Sequence, residues 1–114
     1  MLSNWNEYRS GLLAAIGKFA TLQPGFMKGF QQMDKGTLEN GHLDPKTQEL
    51  IALAVAVTTR CDGCLAVHVD AAVKHGATRE EISEALSVAI KMNTGAALTY
   101  TAHALDVYDN LPNK

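Results

Sequence analysis

Apolar residues recur along this chain at spacings of three and four, and no stretch alternates apolar and polar over the length of a strand. The pattern predicts an all-α fold of about six helices. Ser3 is placed to cap a first helix whose apolar stripe is Trp5, Tyr8, Leu12, Ile16 and Phe19. Pro24 opens a second helix with Phe26, Met27, Phe30 and Met33 facing inward, and Gly36 ends it. Asn40-Gly41 marks a turn.

Asp44-Pro45 is a strong start signal: a capping carboxylate, then proline at the first helical position. The third helix should run from Pro45 to about Val57. Its second half is apolar on all sides, which predicts central burial. Thr58, Thr59 and Arg60 make a short break. The fourth helix should then run from about Cys61 to His75, stopped by Gly76. Thr78 with Glu81 forms a capping box for a fifth helix that turns Ile82, Leu86, Ala89 and Ile90 inward. Asn93, Thr94 and Gly95 are expected to break it, and a sixth helix reaches about Tyr108 before Pro112. The third and fourth helices are expected to pair as a central antiparallel hairpin.

The 114 residues suit one domain, 1–114. A chain of this size buries roughly two-thirds of its unfolded surface, so folding needs neither metal nor cross-link. The net charge of −2 is spread along the chain without a basic run, so nucleic acid is not an expected partner. The longest apolar run, Leu50 to Val57, is far short of the ~20 residues of a membrane span. The first residues lack the pattern of a signal peptide, which sets the cytoplasm as the expected compartment. In that reducing setting a Cys-x-x-Cys pair reads as catalytic or metal-binding rather than as a structural staple.

The one cluster of reactive groups is Cys61-x-x-Cys64-x-x-x-His68, with Glu49 upstream. Positions 61, 64, 68, 71 and 75 lie on one helical seam. Cys64 and His68 are an i, i+4 pair whose side chains meet. Cys61 and Cys64 fall at the helix N-terminus, where the free N–H groups favour a thiolate, and Arg60 adds a cation. Such surroundings lower a thiol pKa from ~8.5 to between ~3.5 and ~7.5. Glu49 lies ~14 Å of helix before the turn and His68 ~12 Å after it. In an antiparallel hairpin the two therefore sit at similar heights, where the carboxylate can orient the imidazole.

The spacing of Glu49, Cys61, Cys64 and His68 resembles the alkylhydroperoxidase AhpD-like group of the carboxymuconolactone decarboxylase superfamily. The segments AVAVTTRCDGC, HGATREEISEAL and YTAHAL are similar as well, so the resemblance covers roughly residues 20 to 108. It implies an AhpD-like helical fold and a thiol peroxidase or disulfide reductase activity with no cofactor. It also implies roles: Cys64 as the cysteine oxidised by the hydroperoxide, Cys61 as proton donor and resolving thiol, and His68 with Glu49 as the proton relay. A dithiol reductant would be the second partner. Short members of the superfamily assemble as trimers or hexamers, which matches the large apolar residues carried by the outer helices. Two features depart from the best-studied members: Gly63 stands where they have a histidine, and the chain is a single unit rather than two repeats.

Other readings stay open at this point. The pair could serve a redox-sensing or assembly module without turnover. Cys61, Cys64, His68 and Glu49 could hold a structural zinc ion. The superfamily's lactone decarboxylases share the fold but look different at the cysteine pair. His75 reads as a helix C-cap, His103 as a core or interface histidine, and Tyr100, Tyr108, Met27, Met33 and the Phe side chains as packing residues.

Overall fold

Polar side chains start most of the helices in the computed structural model, which describes residues 1–114. There are five helices and no strand: α1 (Trp5–Leu22), α2 (Pro24–Gly36), α3 (Pro45–Thr59), α4 (Asp62–Lys74) and α5 (Arg79–Asp109). Asn4, not Ser3, caps α1, its side chain accepting from the Glu7 N–H at 3.2 Å. The Asp44 carboxylate accepts from the Thr47 N–H at 2.7 Å, with Pro45 next to it as the spacing predicts. Thr78 and Glu81 exchange both bonds of a capping box at 3.0 Å each.

The expected break at Asn93-Thr94-Gly95 does not occur. Residues 79–109 form one helix, so the fold has five helices rather than six. The polar side chains tie back onto helices instead of competing with them. Asn93 Nδ2 donates to Ala89 O at 2.8 Å and to Thr58 Oγ1 at 2.9 Å, and Thr94 Oγ1 donates to Ile90 O at 2.9 Å. A lone glycine costs a helix only ~1 kcal/mol relative to alanine, which these bonds offset.

The helices pack as a string. α2 touches α1, α1 touches α4, α4 touches α3, and α3 touches α5. α3 and α4 form the central antiparallel hairpin. α3 and α5 run parallel, in a register set by Lys46 Nζ to Glu81 Oε2 (2.8 Å) at one end and Asn93 to Thr58 at the other. Leu53 of α3, fully buried, packs with Ala72 and Ala77 inside a shell of Leu50, Leu65, Ile82 and Leu86. Past Asn93, α5 outruns the end of α3 by ~24 Å, at ~1.5 Å per residue. Every side chain from Ala96 to Asp109 is exposed.

Several residues expected inside therefore lie outside. Phe26, Phe30 and Met33 of α2 face solvent, as do Ile90, Tyr100 and Tyr108 of α5. α3 is central as predicted, yet Ile51 and Val55 on one flank are uncovered. The string of helices leaves much of these stripes uncovered, apart from an edge contact between Phe19 of α1 and Phe26 of α2. The radius of gyration is 19.0 Å, against about 13 Å for a compact chain of this length. No helix is long and apolar enough to cross a membrane.

Candidate active site

Two residues, Arg60 and Cys61, reverse the chain between α3 and α4. Thr59 ends α3, and Arg60 adopts the left-handed conformation (φ 55°, ψ 47°), the one non-glycine residue with positive φ. For a side-chain-bearing residue that conformation costs roughly 1–2 kcal/mol. The Cys61 N–H closes the turn onto Ala56 O at 3.0 Å. Cys61 then serves as the N-cap of α4, its Sγ accepting from the Cys64 N–H at 3.2 Å. Cys61 and Cys64 are joined as a disulfide across a Cα–Cα distance of 5.2 Å. Both are partly accessible.

One turn past Cys64, His68 meets Glu49. Nδ1 and Oε2 lie 2.6 Å apart. An ionised carboxylate only accepts, so Nδ1 carries the hydrogen and donates it to Glu49. Nε2 is left as the imidazole's free acceptor, or as the second donor of the imidazolium. The hairpin brings the two helices to matching heights, as the residue count predicted. The pair opens into a cleft of about 400 Å³ lined by Asp34, Thr37, Leu43, Gln48, Ile51 and Ala52 besides the pair itself. Gln48 Nε2 donates to Thr37 O at 2.6 Å, holding the end of α2 and its following turn over the cleft.

The other side of the turn is closed by α1. A Cβ placed on Gly63 would come within 2.8 Å of Leu12 Cδ2. Leu12 thus fills the space above Gly63, between the cysteines. Arg9 Nη1 donates to Ala66 O at 3.3 Å and its Nη2 to Asn6 Oδ1 at 2.9 Å, which pins α1 along α4. None of Leu12, Arg9, Asp34 or Thr37 was identifiable from the sequence as part of the site. Their roles come from tertiary packing, and the stripe of the first helix was the only signal.

Several charges on the hairpin are paired. The hydrogen bond from Lys74 at 2.7 Å holds the Asp70 carboxyl below its ordinary range, with Arg9 adding a smaller pull. The hydrogen bond from Lys46 does the same for Glu81, helped by the Thr78 N–H. The Thr47 N–H lowers Asp44. No three His, Cys, Asp or Glu side chains converge in a group that could hold a metal ion, and the two cysteines are bonded to each other. His75 is the C-cap of α4. His103 is not a core residue: it stacks on Tyr100, centroids 4.3 Å apart, on the exposed part of α5.

Fold and site together define a helical protein with a cysteine pair at the turn of its central hairpin and a carboxylate–imidazole pair beside it. The chain belongs to the carboxymuconolactone decarboxylase family, whose profile matches residues 24–107, within the AhpD-like superfamily. Its fold is similar to the crystal structure of an apo carboxymuconolactone decarboxylase family protein from Legionella pneumophila. That likeness has a TM-score of 0.75 and 37% identity, over 92% of this chain and 94% of the other. An uncharacterized protein of Haemophilus influenzae is 43% identical over 95% of this chain and 96% of its own length. Uncharacterized protein 4 in the cox locus of Paracoccus denitrificans is 39% identical over 86% and 88% respectively.

Proposed function

We propose that the chain is a thiol-dependent peroxidase of the alkylhydroperoxidase type, working through a Cys61–Cys64 dithiol. One observation carries the reading: the disulfide lies at the start of α4, and the next turn of that helix presents a His68 already bonded to Glu49. In the reduced form His68 Nε2 takes the proton of Cys64. The Cys64 thiolate attacks the distal oxygen of a hydroperoxide, the O–O bond breaks, and the alkoxide leaves with a proton as the alcohol. Cys64 is then a sulfenic acid. The Cys61 sulfur attacks it, water leaves, and the disulfide forms. An external dithiol reduces the disulfide by exchange, becoming a disulfide itself. Each turnover consumes one peroxide and one dithiol. Glu49 orients the imidazole and balances its charge after proton uptake.

The cysteine pair supports this reading over lactone decarboxylation, which has no use for a dithiol. The test is steady-state peroxide consumption by the purified chain with dihydrolipoamide or thioredoxin as reductant. Cys64→Ser should abolish turnover, and equal turnover in that variant refutes the assignment. A single stoichiometric oxidation without a cycle, under every dithiol tried, would make the chain a redox module rather than an enzyme.

A further inference from the structure

The cleft beside the cysteine turn holds two carboxylates and neither lysine nor arginine. Asp34 and Glu49 line it with His68, and its other lining residues are neutral. Lys35, the next residue along α2, lines a separate hollow with Gln32 and Leu38. Arg60 stands at the turn and lines no wall of the cleft. Glu49 is engaged by His68, whereas Asp34 forms no ion pair. Asp34 is exposed and sits in the last turn of α2, where the partial negative charge of the helix end disfavours an acid. The fold gains nothing from its charge.

The open route to Cys64 runs past these groups. Cys64 and His68 share one face of α4. The opposite face, at Gly63 and Ala66, is covered by Leu12 and Arg9 of α1. A reagent that reaches the Cys64 sulfur therefore arrives from the His68 side. A space of about 400 Å³ is ~9 Å across, inside the ~10 Å over which charges act at ordinary ionic strength. Anything passing through the cleft feels both carboxylates, and a neutral His68 offsets neither.

We infer that the cleft admits neutral reactants in preference to anionic ones, and that Asp34 sets this preference. For the proposed peroxidase the substrate class is then an uncharged hydroperoxide, and hydroperoxides or dithiols bearing a carboxylate are disfavoured. One negative charge ~8 Å away slows an anion roughly twofold to tenfold, depending on how far the walls exclude water. The substrate class rests on the peroxidase reading; the charge filter itself does not.

The experiment alkylates the fully reduced full chain with iodoacetamide or iodoacetate at pH ~8, where histidine is neutral. In both reactions the Cys64 thiolate displaces iodide from a methylene carbon, and the two reagents differ in charge. Mass spectrometry follows Cys64, and the urea-unfolded chain supplies the intrinsic ratio of the two rates. The iodoacetate-to-iodoacetamide ratio should be about threefold lower in the folded chain. The gap should narrow as salt shortens the screening length from ~30 Å at ~0.01 M to ~3 Å at ~1 M. Asp34→Asn should raise the ratio about twofold, and Asp34→Lys further. Equal ratios in the folded and unfolded chains overturn the inference. So does a folded ratio that neither variant changes. In turnover, a hydroperoxide ester should be consumed faster than its free acid, and Asp34→Asn should narrow the difference. A free acid consumed as fast as its ester overturns the substrate class. A chain that discriminates between the alkylating reagents but consumes no peroxide leaves the charge filter standing and removes the peroxidase reading alone.

Discussion

Glu49→Gln keeps the shape of the side chain and an oxygen able to accept from His68 Nδ1, but removes the charge that faces the imidazolium. A hydrogen bond to a charged group contributes ~1.5–3 kcal/mol and a neutral one ~0.5–1.5 kcal/mol. The side chains of His68 and Glu49 are 37% and 21% exposed, so solvent screens part of the difference. The low end applies, about 1 kcal/mol, which is roughly fivefold in rate. Glu49→Ala also loses the acceptor that fixes the ring, and its loss should approach that of His68→Ala, on the order of 10²-fold. The assay mixes fully reduced protein with excess hydroperoxide, quenches with an alkylating reagent at set times and counts free thiols by mass spectrometry. Repeating Glu49→Ala in the His68→Ala background should add almost no further loss, because the carboxylate acts through the ring. A Glu49→Gln rate equal to wild type from acid to alkaline pH would refute the relay. Strictly additive losses in the double variant would refute it as well.

Three further outcomes test the fold. Leu53→Ala removes the one large side chain that is fully buried and should cost ~2–5 kcal/mol by urea unfolding; a loss below ~1 kcal/mol would contradict a core centred on α3. Arg60→Gly relieves the left-handed turn before Cys61 and should raise the urea midpoint, by up to ~1 kcal/mol in stability; a lower midpoint argues against that geometry. Asp44, Asp70 and Glu81 have folded carboxyl values below their ordinary 3.8, 3.8 and 4.5. Their contributions are therefore complete above about pH 4.5 and fade as acid takes the pH through the lower folded values. Lys46 is raised above 10.5, so its share persists below that pH and fades above it. Urea midpoints measured against pH check this, and a chain that gains stability below pH 4.5 would reverse the sign.

The helix starts and the site were legible where the causes are local. Asp44-Pro45 and the Thr78–Glu81 box contain their own hydrogen-bond partners, so spacing suffices. Glu49 and His68 could be paired from residue counts because a two-residue turn leaves the hairpin little freedom of register. The failures have one cause, distant contacts. Asn93 looks like a breaker until Thr58 of another helix accepts from it. Phe30 and Met33 look like core because their stripe is apolar, but whether a stripe turns inward depends on what packs against it. Leu12 above Gly63 links residues that no pattern relates.

Cys61 has a second duty besides its bond to Cys64: its sulfur terminates α4 by accepting from the Cys64 N–H. A thiolate accepts that hydrogen at least as well as a disulfide sulfur does. In the proposed dithiol–disulfide cycle the beginning of the helix would therefore survive in both oxidation states, without reorganisation of the backbone. Such a stiff hinge point makes a poor messenger, since a partner reading shape would find little altered. For the proposed peroxidase it would make a durable machine part, charged and discharged many times with no refolding between rounds.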